Sequence, residues 1–294
     1  LATELFQRAI VHSSGRFRGG PLGPPMKRLA EAERAGAEMG AALGARTLDE
    51  LRALPPDAIE APRGFWGPII DGDVLREPVQ TVFERGDQID VPLLAGYTHD
   101  EASPYPTPDI HTMSQFAEHA TSIYGQQAGR FLELFPCTDD ASAVAMSYAL
   151  RRDSGFAYQA WKFATLQAKT GRSPVYLFNF DHGIPADPDR KFHETMPPGG
   201  YGAHHGCELW YAFDNVNSAP WQATEPDVWL ADAMSEAWLA FARSGNPNVA
   251  KLPHWPKFSL NGLAMSLSSE PVAKPPFNAE ALAFFDQSFS NLKP

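Results

Sequence analysis

The stretch VPLLAGYTHDEASPYP, Val91 to Pro106, reads as a short strand that runs straight into a polar loop. Val91 to Gly96 is apolar without alternation, the pattern of a strand covered on both faces, as in a parallel sheet with helices above and below. Asp100 and Glu101 follow in the loop. In a doubly wound sheet, polar residues just past the carboxyl end of an apolar strand stand at the mouth of the sheet, where ligands bind. The expected fold class is therefore α/β, with a mixed, mostly parallel sheet and flanking helices.

Further along, Tyr201 to Phe213 (YGAHHGCELWYAF) sets a histidine pair among small residues, with an acid and aromatics behind it. A histidine that takes and returns protons needs a pKa near neutrality and neighbours small enough for a substrate to approach. Gly202, Ala203 and Gly206 leave that room around His204 and His205. Taken alone, the pair reads equally as loop histidines that are exposed or bonded to nearby backbone. An acid after one strand and a histidine on a later loop, however, reproduce the last two members of the α/β-hydrolase order: nucleophile, acid, histidine.

Across nearly its whole length the chain resembles the type B carboxylesterases, which include cholinesterases and bacterial para-nitrobenzyl esterases. The resemblance rests on Leu5 to Gly15 (LFQRAIVHSSG), Gly67 to Gly72 (GPIIDG), Val91 to Ser103, Gly202 to Phe213, and Trp238 to Asn248 (WLAFARSGNPN) with Trp255 and Pro256 after it. It implies an α/β-hydrolase fold, a catalytic glutamate at Glu101 and a catalytic histidine at His205. His204 falls where the family usually has an apolar residue. By the same resemblance, Ser13 lies behind the pair and helps hold the glutamate, and Glu208 serves a buried polar network close by. A serine hydroxyl donating to a buried carboxylate fixes the acid and keeps its pKa low; a serine ending a strand into a turn is the alternative.

The family's serine lies in a G-x-S-x-G elbow shortly before the segment that Leu5 opens here, and no serine in this chain has that pattern. The expectation is that residues 1–294 form the C-terminal part of one α/β-hydrolase domain, with a helical, cap-like region at about 107–172. An N-terminal segment carrying the serine would then be a partner of this chain. Phe65 and Trp66, ahead of GPIIDG, belong to the acyl side of the pocket in this comparison. Pro62 and Gly64 stand where cholinesterases carry bulky aromatics, which would widen it. Tyr105, held in the stiff Pro104-Tyr105-Pro106 turn, and His204 complete the candidate substrate-binding set.

Elsewhere the periodicity predicts helices over Met26–Leu43, Thr47–Leu54, Met113–Leu134, Ala141–Ala168 and Val228–Arg243. In the last, Trp229, Met234, Trp238 and Phe241 form an apolar stripe. Strands are expected over Leu5–His12, Val175–Phe180 and from Trp255 towards Leu267, and a terminal helix around Phe284 and Phe285. His193, Glu194, His204, His205, Cys207 and Glu208 are all capable metal ligands. Neither C-x-x-C nor H-E-x-x-H appears among them, so no metal and no other cofactor is expected.

The formal charge of −11 argues against nucleic acid or an anionic membrane as partner. No run approaches the roughly 18 apolar residues of a membrane span. Cys137 and Cys207 allow one optional bridge and leave the compartment open, cytoplasmic or secreted. The expected activity is hydrolysis of a small-molecule ester through a Ser-Glu-His triad and an acyl-enzyme. The rivals are a non-catalytic, cholinesterase-like binding or adhesion module, and an acyltransferase or amidase on the same triad.

Overall fold

The three strands with unbroken burial lie side by side at the centre of a five-stranded sheet of order β1-β2-β3-β4-β5. The strands are β1 (Ala9–His12), β2 (Leu93–Thr98), β3 (Val175–Phe180), β4 (Ala264–Leu267) and β5 (Val272–Lys274). Neighbours run parallel except β4 and β5, so the sheet is mixed and mostly parallel. The computed structural model describes residues 4–13, 26–60, 67–106, 108–185, 192, 200–259 and 262–291. The helices are α1 (Leu29–Ala42), α2 (Leu48–Arg52), α3 (Pro56–Glu60), α4 (Val79–Arg85), α5 (Met113–Tyr124), α6 (Ala128–Leu134), α7 (Asp140–Arg151), α8 (Tyr158–Thr170), α9 (Leu209–Ala212), α10 (Glu225–Ser244) and α11 (Ala279–Asn291).

The period of two along β2 and β3 divides their side chains between the layers. Leu94, Tyr176, Phe178 and Phe180 pack with α9 and α10 on one face. Leu93, Ala95, Val175 and Leu177 pack against α8 and Phe258 on the other, and Tyr97 joins the cluster of α5, α6, α7 and α11. Gly96 is required by this packing: a Cβ there would overlap the ring of Phe178, its partner in the β2–β3 register.

Helix α10 starts on Thr224, whose side chain and that of Asp227 form a reciprocal capping box, and stops at Gly245 in the left-handed region at φ 77°. Its buried stripe is Leu230, Met234, Trp238 and Phe241. Trp229 lies outside the stripe at 40% exposure, because it is five positions from Met234 and a helix turns 3.6 residues per cycle.

Three further expectations are revised. Trp255 sits in a loop rather than a strand: its backbone N–H donates to the Asn248 side-chain oxygen (2.8 Å), its carbonyl accepts from the same amide (3.0 Å), and its indole donates to the Leu177 carbonyl (3.1 Å). An asparagine amide thus takes the place of a neighbouring strand. The long helix over Ala141–Ala168 is interrupted by a π-turn, Arg152–Ala157. There Ser154 donates to the Leu150 carbonyl (2.7 Å), and Asp153 is buried against Arg152 (2.6 Å) and Asn278 (2.6 Å). Similarly, the segment Met113–Leu134 breaks at Gly125, φ 52°.

Candidate active site

Beyond Thr98 the β2 chain turns into its acid loop, and two hydrogen bonds stitch that loop to the histidine segment. Asp100 N–H donates to the Ala203 carbonyl, and Ala203 N–H donates to the Asp100 carboxylate, both at 2.9 Å. Gly202, at φ 57°, lies so close to the Asp100 carboxylate that a Cβ would overlap it. The small residues beside the histidines therefore let the two loops close on each other.

Glu101 is fully buried. Its Oε1 accepts from Thr98 N–H (2.8 Å) and, through a short contact, from the Ser13 hydroxyl. Its Oε2 meets His205 Nδ1 at 2.6 Å. A carboxylate only accepts, so the His205 proton sits on Nδ1 and Nε2 is left to accept. The His205 side chain keeps 38% exposure, and its ring stands 5.1 Å from Phe156 and 6.0 Å from Tyr105. The hydrogen bond to Glu101 raises the His205 pKa above the ordinary imidazole value; burial opposes it, and the charges of Glu101 and Glu208 add to the rise.

Glu208 is buried, and its Oε1 meets His12 Nδ1 at 3.1 Å. His12 Nε2 in turn accepts from the Trp238 indole (2.9 Å), which puts the His12 proton on Nδ1. Glu208 Oε2 has no hydrogen-bond partner among the described residues. His204 is buried, its Nδ1 against the His205 carbonyl (3.0 Å) and its ring against Phe192 (5.0 Å). Phe65, Trp66, Pro62, Gly64, His193 and Glu194 lie outside the described residues. Among the described residues no group of three or more His, Cys, Asp and Glu stands together as a metal site. Cys137 and Cys207 are both free thiols, so the optional bridge is not formed.

Two polar clusters were not legible beforehand. Asp227 accepts from the Thr224 hydroxyl and from Tyr211 OH (both 2.6 Å) and from Thr224 N–H (2.7 Å), and meets His182 Nε2 at 2.7 Å. Burial would raise its pKa, yet these bonds hold it down at about 2. Arg152, stacked 4.7 Å over Phe277, closes the second cluster with Asp153.

No helix of the described residues is long and apolar enough to cross a membrane. Residues 1–285 match the family model described as "Carboxylesterase family". The chain is 30% identical over 287 residues to fumonisin B1 esterase of Sphingopyxis macrogoltabida, covering 92% of this chain and 50% of that protein. To para-nitrobenzyl esterase of Bacillus subtilis (strain 168) it is 27% identical over 220 residues, covering 72% of this chain and 41% of that protein. A solved PNB esterase superposes with a TM-score of 0.72 at 23% identity, over 97% of this chain and 58% of that one. The chain thus spans about half the length of these curated relatives, and its fold is that of the α/β hydrolases. With its mostly parallel sheet, its acid loop after β2 and a family match over residues 1–285, the chain belongs to the carboxylesterase family.

Proposed function

We propose that the protein is a serine carboxylic-ester hydrolase in which Glu101 and His205 are two members of a Ser-Glu-His triad. The observation that carries this reading is the 2.6 Å contact between Glu101 Oε2 and His205 Nδ1, made by a fully buried carboxylate. The nucleophilic serine comes from a segment N-terminal to Leu1, so that residues 1–294 are the C-terminal part of one α/β-hydrolase domain. The outer edge of β1, unpaired among the described residues, and exposed Leu5 and Phe6 beside it support a covering segment on that side.

In the reaction, the serine hydroxyl attacks the ester carbonyl while His205 Nε2 takes its proton and then hands it to the departing alcohol. Water, deprotonated by the same nitrogen, next cleaves the acyl-enzyme to acid and free serine. Glu101 holds the ring in the Nδ1–H tautomer and stabilises its charged form, and Ser13 and Thr98 hold Glu101. Tyr105, beside the His205 ring, borders the substrate pocket; Glu208 adds negative charge behind the histidine. The names of the relatives make p-nitrobenzyl esters and fumonisin B1 the first substrates to try.

The complete protein is expected to hydrolyse at least one of them and to take up one equivalent of a fluorophosphonate. Peptide mass mapping should find that adduct on a serine N-terminal to Leu1. An adduct on a serine within residues 1–294 contradicts the assignment, and no hydrolysis with no adduct favours a binding module.

The pH profile offers a second check. Hydrolysis needs neutral His205, so kcat/KM falls as pH drops through a pKa raised above 6.5 by the Glu101 bond and by the charges of Glu101 and Glu208. Glu208→Gln removes one of those anions, and the acid limb should move to lower pH when kcat/KM is followed over about pH 5 to 8. A limb that stays in place or moves up contradicts the coupling.

A further inference from the structure

Asp100 and Ser103 stand on either side of Glu101 in the acid loop, and both bond the segment that leads into His205. The Ser103 hydroxyl donates to the Tyr201 carbonyl (2.6 Å), and Asp100 Oδ2 accepts from Ala203 N–H (2.9 Å). Asp100 comes one residue before Glu101, and Ala203 two before His205. The carboxylate is itself braced. Its Oδ1 meets His99 Nδ1 at 3.0 Å, the His99 ring lies 4.3 Å from that of Phe277, and His99 Nε2 is 3.9 Å from Asp181. Burial would raise the Asp100 pKa, but the bond and charge of His99, the Ala203 bond and the charge of Arg152 hold it below the ordinary carboxylate value.

An aspartate in a loop commonly bonds backbone a few residues away and so stabilises its own turn. Asp100 instead bonds a residue 103 positions along the chain. The segment it holds has a permissive backbone, since Gly202 and Gly206, on either side of the histidines, sit in the left-handed region at φ 57° and 82°. Gly202 has no room for a side chain, because a Cβ there would overlap the Asp100 carboxylate. The charges that raise the His205 pKa are those of Glu101 and Glu208. Asp100 therefore reaches the imidazole through the backbone.

We infer that Asp100 is a positioning residue of the ester-hydrolysing site: by accepting from Ala203 N–H, its carboxylate sets the place of the His205 ring against Glu101 and hence against the ester. This rests on the hydrolase reading above. Misplacing a reacting group by about 1 Å costs on the order of 10²-fold in rate, so the bond is read in kcat. Asp100→Ala removes both the acceptor and the charge. Asp100→Asn removes the same charge but keeps an oxygen that accepts from Ala203 N–H. The difference between the two variants reads the bond rather than the charge.

The complete protein is assayed on p-nitrophenyl butyrate, or on whichever of the esters above it cleaves. Asp100→Ala should lower kcat by about 10- to 100-fold with KM changed by less than about 3-fold, and Asp100→Asn should restore kcat to within about 5-fold of the unaltered protein. Gly202→Ala drives a Cβ into the same carboxylate and should lower kcat comparably; added to Asp100→Ala it should cost less, because the overlap is then gone. Near-normal kcat in Asp100→Ala, a loss confined to KM, or Asp100→Asn as slow as Asp100→Ala overturns the inference. Should Asp100→Ala fail to fold, the other two single variants decide: normal kcat in Gly202→Ala, or a loss beyond about 10-fold in Asp100→Asn, overturns it. Hydrolysis of none of these esters by the unaltered protein, by contrast, overturns the hydrolase reading itself and this inference with it.

Discussion

Replacing His205 with alanine in the complete protein is expected to lower kcat for ester hydrolysis by about 10⁶-fold, the scale on which serine hydrolases lose turnover without their histidine. Glu101→Gln should cost about 10⁴-fold, the figure known for the equivalent acid-to-amide change in a serine protease. The geometry gives the second number a cause. Glu101 Oε1 accepts from Thr98 N–H (2.8 Å) and from the Ser13 hydroxyl, so in the glutamine those donors hold the amide oxygen and turn its NH₂ towards His205 Nδ1. An NH₂ facing Nδ1 selects the tautomer protonated on Nε2, which cannot take a proton from serine. Because the Glu101 bond is the largest influence raising the His205 pKa, residual activity in Glu101→Gln should also show its acid limb at lower pH. Steady-state rates beside thermal melts of each variant check this: a folded variant with near-normal turnover removes either residue from the triad.

Chain order and loop placement, which are local properties, narrowed the pair to Asp100 or Glu101 with His204 or His205, and the family resemblance singled out Glu101 and His205, whose side chains do meet at 2.6 Å. An apolar strand puts its following acid at the sheet's mouth wherever the strand lies. The helix start at Thr47 was legible for a similar reason, since its cap bonds a residue three positions on. What escaped the sequence depends on long-range register. His12 meets Glu208 across 196 residues and Trp238 across 226, and nothing near His12 announces either. The π-turn at Arg152–Ala157 depends on Asn278, 125 residues beyond Asp153. Trp229 was placed on the inner stripe because it is large and apolar, whereas the rotation set by Leu230, Met234 and Phe241 turns it outward.

The same register dictates the largest expected effect on stability. Phe178→Ala should destabilise the complete protein by about 3–5 kcal/mol, the usual cost of deleting a buried aromatic ring. Phe178 is fully buried, with the rings of His12 at 5.1 Å and Trp238 at 5.2 Å, and neither is free to fill the void. Trp238 is tied by its indole to His12, and His12 to Glu208. Those ties also prevent the Phe178 ring from yielding when Gly96 gains a methyl that would overlap it. Gly96→Ala alone is therefore expected to cost about 1–3 kcal/mol through overpacking. In the Phe178→Ala background the added methyl enters the vacated space, so the double variant should be more stable than the sum of the single losses predicts, by at least about 1 kcal/mol. Urea unfolding of the four proteins measures this coupling. Additive losses would mean that the ring of Phe178 does not rest on Gly96, and that the β2–β3 register carrying the acid loop to the histidine is not the one described.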